Sequence, residues 1–201
     1  MNLNKLKKLM NCKSEKWFDF IDAKKDDDTA EIRIDGVIGG DWFGDGVTAK
    51  DFITKLNGIK QKNIVLHINS PGGSVFDGFA IYSALAASGK SVKVVVDGLA
   101  ASIASVIAMA GDEIEMPESS YLMVHNPWSL TVGNAKNMKA EADVLTDLTG
   151  KINKVLADRS GQKTEKISEL MDGQDGADGT FIDAQTALDL GLATKIIENK
   201  K

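Results

Sequence analysis

The sequence predicts a single α/β domain whose strands pair mostly in parallel. Short apolar runs, such as Ile64 to Ile68 and Val92 to Val96, are typical of strands that are covered on both faces. Segments with helical periodicity lie between these runs, and strands that alternate with helices are the pattern of parallel βαβ units. The 201 residues suffice for one domain with a sizeable core.

Composition narrows the class of function. The chain is 43% hydrophobic and 26% charged, as in an ordinary globular protein, and its formal net charge is −5. This charge favours neither a nucleic acid nor an anionic membrane as partner, and no apolar stretch is long enough to span a bilayer. The single cysteine, Cys12, cannot form an internal disulfide, and no apolar core follows the basic residues 2–10 as in a secretion signal. We therefore expect a cytoplasmic protein.

The chain divides into a leader and a domain. Residues 1–28 are expected to form a poorly packed leader with a short amphipathic turn around Trp17, Phe18 and Phe20. Residues 29–201 are expected to form the domain, with strands and helices at 30–38, 48–56, 64–68, 74–88, 92–96, 100–110, 120–125, 133–159, 164–171 and 184–190. A glycine-rich loop, 173–179, precedes the last helix.

The long helix at about 133–159 carries one apolar stripe. The apolar residues recur at intervals of three and four: Met138, Ala142, Leu145, Leu148, Ile152 and Val155. A helix of this length exceeds what one face of a small domain covers, so we expect part of it to contact another copy of the chain.

Ser102 is a candidate nucleophile. It follows a buried strand at the start of a helix, where free N–H groups and the helix dipole favour a developing negative charge. Its small neighbours, Gly98, Ala100, Ala101 and Ala104, allow a substrate backbone to approach. The alternative is that Ser102 only caps the helix and, like Ser105, has no chemical role.

His125 is the candidate general base. It ends the apolar run 121–124 and precedes Asn126-Pro127, and the proline favours an extended chain there. The other histidine of the chain, His67, lies inside a strand, where a hydrogen-bonded structural role is favoured. A structural role for His125 is the alternative interpretation.

A glycine turn supplies candidate oxyanion donors. In Asn69-Ser70-Pro71-Gly72-Gly73-Ser74, two glycines permit unusual backbone angles and leave N–H groups unshielded. No Walker lysine accompanies the turn, so a phosphate-binding loop is disfavoured, and a plain strand-to-helix turn is the alternative. Together, the glycine turn, the serine and the histidine offer what nucleophilic acyl transfer needs: donors for the oxyanion, an oxygen to activate and a base.

These segments resemble the proteolytic subunit of Clp protease, and especially its phage and prophage relatives. The resemblance rests on Ile68 to Gly73, Gly98 to Ala104, Met123 to Trp128 and a closing helix at 184–193, and it runs from about residue 30 to residue 197. It implies a ClpP/crotonase-like fold of stacked ββα units with a protruding handle helix at about 133–159. It also implies that Ser102 is the nucleophile, that His125 is the base, and that the backbone N–H groups of Gly73 and Ile103 form the oxyanion hole.

The acid of the triad departs from the family pattern. Phage relatives often carry Glu-Thr-Trp before the closing helix, whereas Thr180-Phe181 follows Gly179 here. Asp178 is the nearest acid and the one expected to orient His125. Asp172 and Asp175 are the fallbacks, and a Ser-His dyad without an acid is a further alternative.

The resemblance implies a serine endopeptidase that needs no metal or cofactor and acts on polypeptides. It implies a homo-oligomeric ring, heptameric or doubly stacked, and the phage-type branch suggests head maturation by cleavage of capsid or scaffold protein. One alternative is a housekeeping subunit that is fed by an AAA+ unfoldase. Others are a crotonase-like acyl-CoA enzyme and an inactive ring-forming assembly protein.

Overall fold

A computed structural model describes residues 17–21, 28–39, 48–175 and 177–198. Its strands are β1 Phe18–Ile21, β2 Thr29–Asp35, β3 Asn63–Ser70, β4 Ser91–Ala101, β5 Glu113–Pro117, β6 Tyr121–Val124, β7 Thr180–Asp183 and β8 Lys195–Ile197. Its helices are α1 Ala49–Gly58, α2 Val75–Ala86, α3 Ile103–Ala108, α4 Ala135–Ser160, α5 Thr164–Asp172 and α6 Ala184–Asp189.

The strands form one mixed sheet in the order β1-β2-β3-β4-β5-β8, and β6 and β7 extend a branch from the end of β4. Strands β2, β3, β4 and β5 pair in parallel, each with the next. The pairs of β4 with β6 and of β5 with β8 are also parallel. Only β1 with β2 and β6 with β7 are antiparallel among the described strands. The mixed α/β class with mostly parallel strands is thus confirmed, and it is consistent with the ClpP fold.

The core lies between the sheet and the helices that follow its strands. Alternate residues of β2, β3 and β4 are buried, because successive side chains of a strand point to opposite faces. They form one core cluster with apolar residues of α1 and α2, among them Ile32, Ile34, Leu66, Ile68, Val94, Val96, Phe52, Leu56, Ile81 and Leu85. Burial of this cluster fixes the register of β3 and β4. The turns that follow these two strands carry the candidate site.

The turn expected around Trp17, Phe18 and Phe20 is wrong. This segment is strand β1, in which Phe18 pairs with Ile34, and Trp17 and Phe18 belong to the core cluster. The ring of Trp17 stacks on that of Phe52 at 6.0 Å between centroids. Phe18 and Phe20 are two residues apart, the spacing of one face of a strand, which explains the difference. The leader residues 1–16, with Cys12, and 22–27 lie outside the described residues, and the boundary at residue 28 stays a prediction.

Two helices begin later than the sequence predicts. The helix expected from Ala100 begins at Ile103, because β4 continues through Ala101 and pairs there with Met123 of β6. The helix expected from residue 133 begins at Ala135, because the side chain of Asn134 accepts hydrogen bonds from the amides of Lys136 and Asn137. The short strands β5, β7 and β8 lacked a clear sequence signal.

Helix α4 is buried along only part of its length. Leu148, Ile152 and Leu156 are buried in its C-terminal half, whereas residues 135–147 contain no buried residue. Met138 and Val144 are about half exposed. The expected contact of this part with another copy stays a prediction. Among the described residues, no helix is long and apolar enough to cross a membrane.

Candidate active site

Ser102 lies in a strained turn between β4 and α3. Its φ of 54° and ψ of −129° are unusual for a residue with a side chain, and they cost roughly 1–3 kcal/mol. Two hydrogen bonds hold this turn: the Ser102 amide donates to the Met123 carbonyl at 2.8 Å, and the Ser105 hydroxyl donates to the Ser102 carbonyl at 2.6 Å. Ser105 therefore has a structural role in the turn that holds Ser102.

His125 meets Ser102 because their strands are parallel neighbours. Ala101 of β4 pairs with Met123 of β6, so the residues after both strands emerge at the same edge of the sheet. Ser102 Oγ lies 2.7 Å from His125 Nε2, a hydrogen-bond distance. The His125 side chain is only 12% exposed, so little water competes for this bond.

The glycine turn after β3 packs directly against Ser102. Gly72 and Gly73 have φ values of 96° and 151°, which favour glycine. A Cβ on Gly72 would lie 2.6 Å from Ser102 Cβ, and a Cβ on Gly73 would collide with the Ile38 carbonyl. Side chains at either position would therefore displace the turn from the candidate nucleophile.

Hydrogen bonds to Ile38 orient the turn. The Ile38 amide donates to the Gly72 carbonyl at 2.8 Å, and the Ser74 amide donates to the Ile38 carbonyl at 2.9 Å. Because these two groups face Ile38, the intervening Gly73 N–H is directed away from it. The buried Ser70 hydroxyl donates to the Gly36 carbonyl at 2.6 Å and accepts from the Gly72 amide at 3.1 Å. Sequence reasoning missed these roles of Ser70 and Ile38, because the contacts of Ser70 with Gly36 and of Ile38 with the glycine turn join segments that are distant in the chain.

The amide of Ile103 is the second expected donor. Ile103 is the first residue of α3, so its N–H has no acceptor within the helix. Its side chain is buried and packs against Gly78 of α2, where a Cβ would collide with Ile103 Cγ1. The close approach of α2 and α3 thus fixes the position of the Ile103 amide relative to the turn that carries Ser102.

The three candidate acids occupy different positions. Asp178 Oδ2 lies 3.6 Å from His125 Nδ1, and the Asp178 side chain is 73% exposed. This is an ion-pair distance, longer than a hydrogen bond. Asp172 instead accepts a hydrogen bond from Asn126 Nδ2 at 2.7 Å. Asp175 lies in the loop with a φ of 54°, and no ion pair with His125 is found for it among the described residues.

His67 lies apart from this cluster. Its Nδ1 is 2.8 Å from Asp97 Oδ1, and Arg33 approaches the same carboxylate at 3.4 Å. These contacts form a charged network across β2, β3 and β4, as the expected structural role requires. In the part of the chain that the structure describes, no cluster of His, Cys, Asp or Glu side chains is arranged to hold a metal ion.

The comparisons with known proteins agree on one family. A family model described as Clp protease matches residues 45–200. The chain is 38% identical over 144 residues to an ATP-dependent Clp protease proteolytic subunit of Ligilactobacillus salivarius (strain UCC118), with 70% of each chain covered. It is 33% identical over 142 residues to an ATP-dependent Clp protease proteolytic subunit 2 of Synechococcus sp. (strain CC9605), again with 70% of each covered. The chain belongs to the Clp protease family.

Clp proteases are serine peptidases, so this family member is a serine-type hydrolase of peptide bonds. The cluster of Ser102, His125 and the two amides has the parts that such chemistry needs: a hydroxyl, a base within hydrogen-bond reach, and donors for an oxyanion. No sequence signal marked Asn126 as a partner of Asp172, because that contact joins segments that are far apart in the chain.

The residue before Thr180-Phe181, where the resemblance predicts an acid, is Gly179. Gly179 has a φ of 89°. A Cβ on Gly179 would collide with the Val124 carbonyl and with His125 Cβ. The backbone therefore fills this position, and the nearest carboxylate comes from the preceding residue, Asp178.

Proposed function

We propose that this chain hydrolyses peptide bonds through an acyl-enzyme on Ser102. Support comes from the distance of 2.7 Å between Ser102 Oγ and His125 Nε2. As Oγ attacks the scissile carbonyl, His125 takes the hydroxyl proton at Nε2 and then gives it to the leaving amine. Water then attacks the acyl-enzyme as the same nitrogen takes a proton from it. The ester bond to Ser102 Oγ breaks, Oγ takes that proton from His125, and the carboxylic acid product is released.

The oxyanion of each tetrahedral intermediate lies between the N–H groups of Gly73 and Ile103. One such donor is typically worth about 3 kcal/mol of transition-state stabilisation. The support is the backbone geometry: Gly73 N–H is directed away from Ile38, and Ile103 opens a helix. Asp178 stabilises the imidazolium that forms on His125, from the 3.6 Å ion-pair position.

A fluorophosphonate tests this proposal because it reacts with a serine hydroxyl only when a base activates it. We expect one phosphonyl adduct per chain on Ser102, located by peptide mass spectrometry. We expect no adduct in Ser102→Ala, and at least a hundredfold slower labelling in His125→Ala, since the base is lost.

Ser83→Ala serves as the control, since Ser83 is an exposed residue of α2 and its loss should leave labelling of Ser102 in place. An unlabelled wild-type protein, or labelling that His125→Ala leaves unchanged, would contradict the proposal. Absent labelling would favour an inactive assembly protein. Turnover of an acyl-CoA thioester without peptide cleavage would favour the crotonase-like alternative.

For the biological setting, we propose a homo-oligomeric ring in the cytoplasm that cuts capsid or scaffold protein during phage head maturation. The support is the similarity of His125-Asn126-Pro127-Trp128 and Gly133-Asn134-Ala135 to the phage branch. The housekeeping role is the second candidate, and the names of the two relatives, both ATP-dependent proteolytic subunits, favour it.

Two substrates separate these settings. Head maturation predicts cleavage of a folded or assembling capsid protein at a few sites without ATP. The housekeeping role predicts degradation of an unfolded chain to short peptides that depends on an AAA+ unfoldase and ATP. If this protein cleaved substrates only together with the unfoldase, that result would contradict the head-maturation role.

A further inference from the structure

The loop that carries Asp178 is closed at its base. Gly173 follows α5, and a Cβ on it would lie 2.7 Å from the Gly179 carbonyl oxygen, so the two ends of the loop touch. The Thr180 hydroxyl donates to the Leu170 carbonyl at 2.7 Å and fastens the start of β7 to α5. The two ends of the loop that carries Asp178 are thus held together at the end of α5.

One side-chain contact ties this base to the residue after His125. Asn126 Nδ2 donates to Asp172 Oδ1 at 2.7 Å, and Asp172 is the last residue of α5, immediately before the loop. Its carboxylate is a charged acceptor, and hydrogen bonds to charged groups are the stronger ones. The contact therefore links the end of β6, which carries His125, to the element that carries Asp178.

Asp178 itself lacks comparable anchoring. Its side chain is 73% exposed, and its ion pair with His125 spans 3.6 Å in contact with solvent. An exposed ion pair of this kind contributes little on its own. The position of the Asp178 carboxylate therefore depends on the backbone beneath it, and hence on the base of the loop.

We propose that Asp172, through its hydrogen bond with Asn126, is a positioning residue that keeps the Asp178 loop against His125. This inference rests on the proposed function, since it assigns a role only if Asp178 assists His125. Asp172 does not touch the reacting atoms and acts on catalysis only through Asp178.

A double-mutant cycle tests this indirect action. The quantity measured is the second-order rate constant of Ser102 labelling by the fluorophosphonate, with hydrolysis of a fluorogenic peptide as a second readout. We expect Asp172→Ala, which removes the acceptor, to lower this constant by about three- to tenfold, the value of one hydrogen bond to a charged group near the surface. In an Asp178→Asn background, the same change should have no further effect, because the carboxylate that Asp172 positions is already gone.

Asn126→Ala removes the same bond from the other side and should repeat both results. Glu169→Gln is the matched control: it removes a carboxylate from the same helix, where Glu169 pairs with Lys166 at 3.1 Å. It should leave labelling within twofold, and the thermal midpoints of all variants should be similar.

Two outcomes would overturn the inference: no slowing by Asp172→Ala in the wild-type background, or equal slowing in both backgrounds. The second outcome would show that Asp172 acts on fold or site by a route other than Asp178. Failure of the proposed function is distinguishable from these results, because it would appear as absent labelling of Ser102 in the unaltered protein.

Discussion

At the scale of single residues, the candidate nucleophile lies where the backbone conformation is unfavourable for it. Ser102 has a φ of 54°, and the turn is held by the Met123 carbonyl, the Ser105 hydroxyl and the packing of Gly72. Such a conformation persists only where the surroundings fix it. The benefit is that Oγ projects from the end of β4 toward His125 rather than capping α3, for which no side-chain hydrogen bond is found.

This strain predicts a difference between two inactive variants. Ser102→Gly and Ser102→Ala both lose the hydroxyl, but only glycine removes the Cβ that makes a positive φ unfavourable. We expect Ser102→Gly to be more stable than Ser102→Ala by about 1 kcal/mol, after the greater unfolded-state entropy of glycine is deducted.

Denaturant unfolding of the two variants measures the difference. Gly89→Ala serves as a control for the direction of the effect. Gly89 has a φ of 66°, so an alanine there should lower the free energy of unfolding. Equal stability of the two Ser102 variants would contradict the strain assigned to this turn.

At the scale of elements, the site forms at the edge of the sheet where the parallel strands β3, β4 and β6 end. The turns after β3 and β4 and the residue after β6 meet at one edge, because β3, β4 and β6 run in the same direction. Helices α2 and α3 follow two of these turns and pack together through Gly78 and Ile103. The spacing of these two helices therefore sets the position of the Ile103 amide.

Alanine substitutions at two helical glycines test this packing. Gly78→Ala places a methyl group on buried Ile103, so we expect it to destabilise the fold by about 1–3 kcal/mol and to slow labelling of Ser102. Gly150→Ala in α4 meets nothing within 4 Å, so we expect it to stabilise the fold by about 1 kcal/mol without slowing labelling.

Denaturant unfolding and the labelling rate constant measure both variants. If Gly78→Ala were as well tolerated as Gly150→Ala, then α2 and α3 would not be in the close contact described here.

Local patterns predicted most elements, and long-range contacts account for the misses. Ser102 and His125 could be selected because each follows an apolar strand, a feature visible in adjacent residues. Strand β1 was missed because it has only 4 residues and because its aromatic contact, Phe52, is distant in the chain. The contact between Asn126 and Asp172 was missed for the same reason, since 46 residues separate them.

At the scale of the whole molecule, the first half of α4 has no partner among the described residues. Residues 135–147 contain no buried residue, although Met138 and Val144 are apolar. Apolar positions on an exposed helix face are typical of an interface with another chain. This part of the handle helix supports the proposed ring assembly.

A charge on the apolar stripe should weaken that assembly. We expect Met138→Glu to shift the protein toward smaller species, because the interface would bury an unpaired carboxylate. Ala140→Glu adds the same charge to an exposed position about 200° around the helix from Met138, and it should leave the oligomer intact. Analytical ultracentrifugation measures both, and an unchanged oligomer in Met138→Glu would contradict a contact through this surface.

A crystal structure of the assembled protein after reaction with a fluorophosphonate tests the central claim most directly. We predict a covalent bond from phosphorus to Ser102 Oγ, with the phosphonyl oxygen roughly 2.7–3.1 Å from the amide nitrogens of Gly73 and Ile103. His125 Nε2 should remain within hydrogen-bond distance of the adduct. An adduct on another residue, or a phosphonyl oxygen directed into solvent away from both amides, would contradict the account.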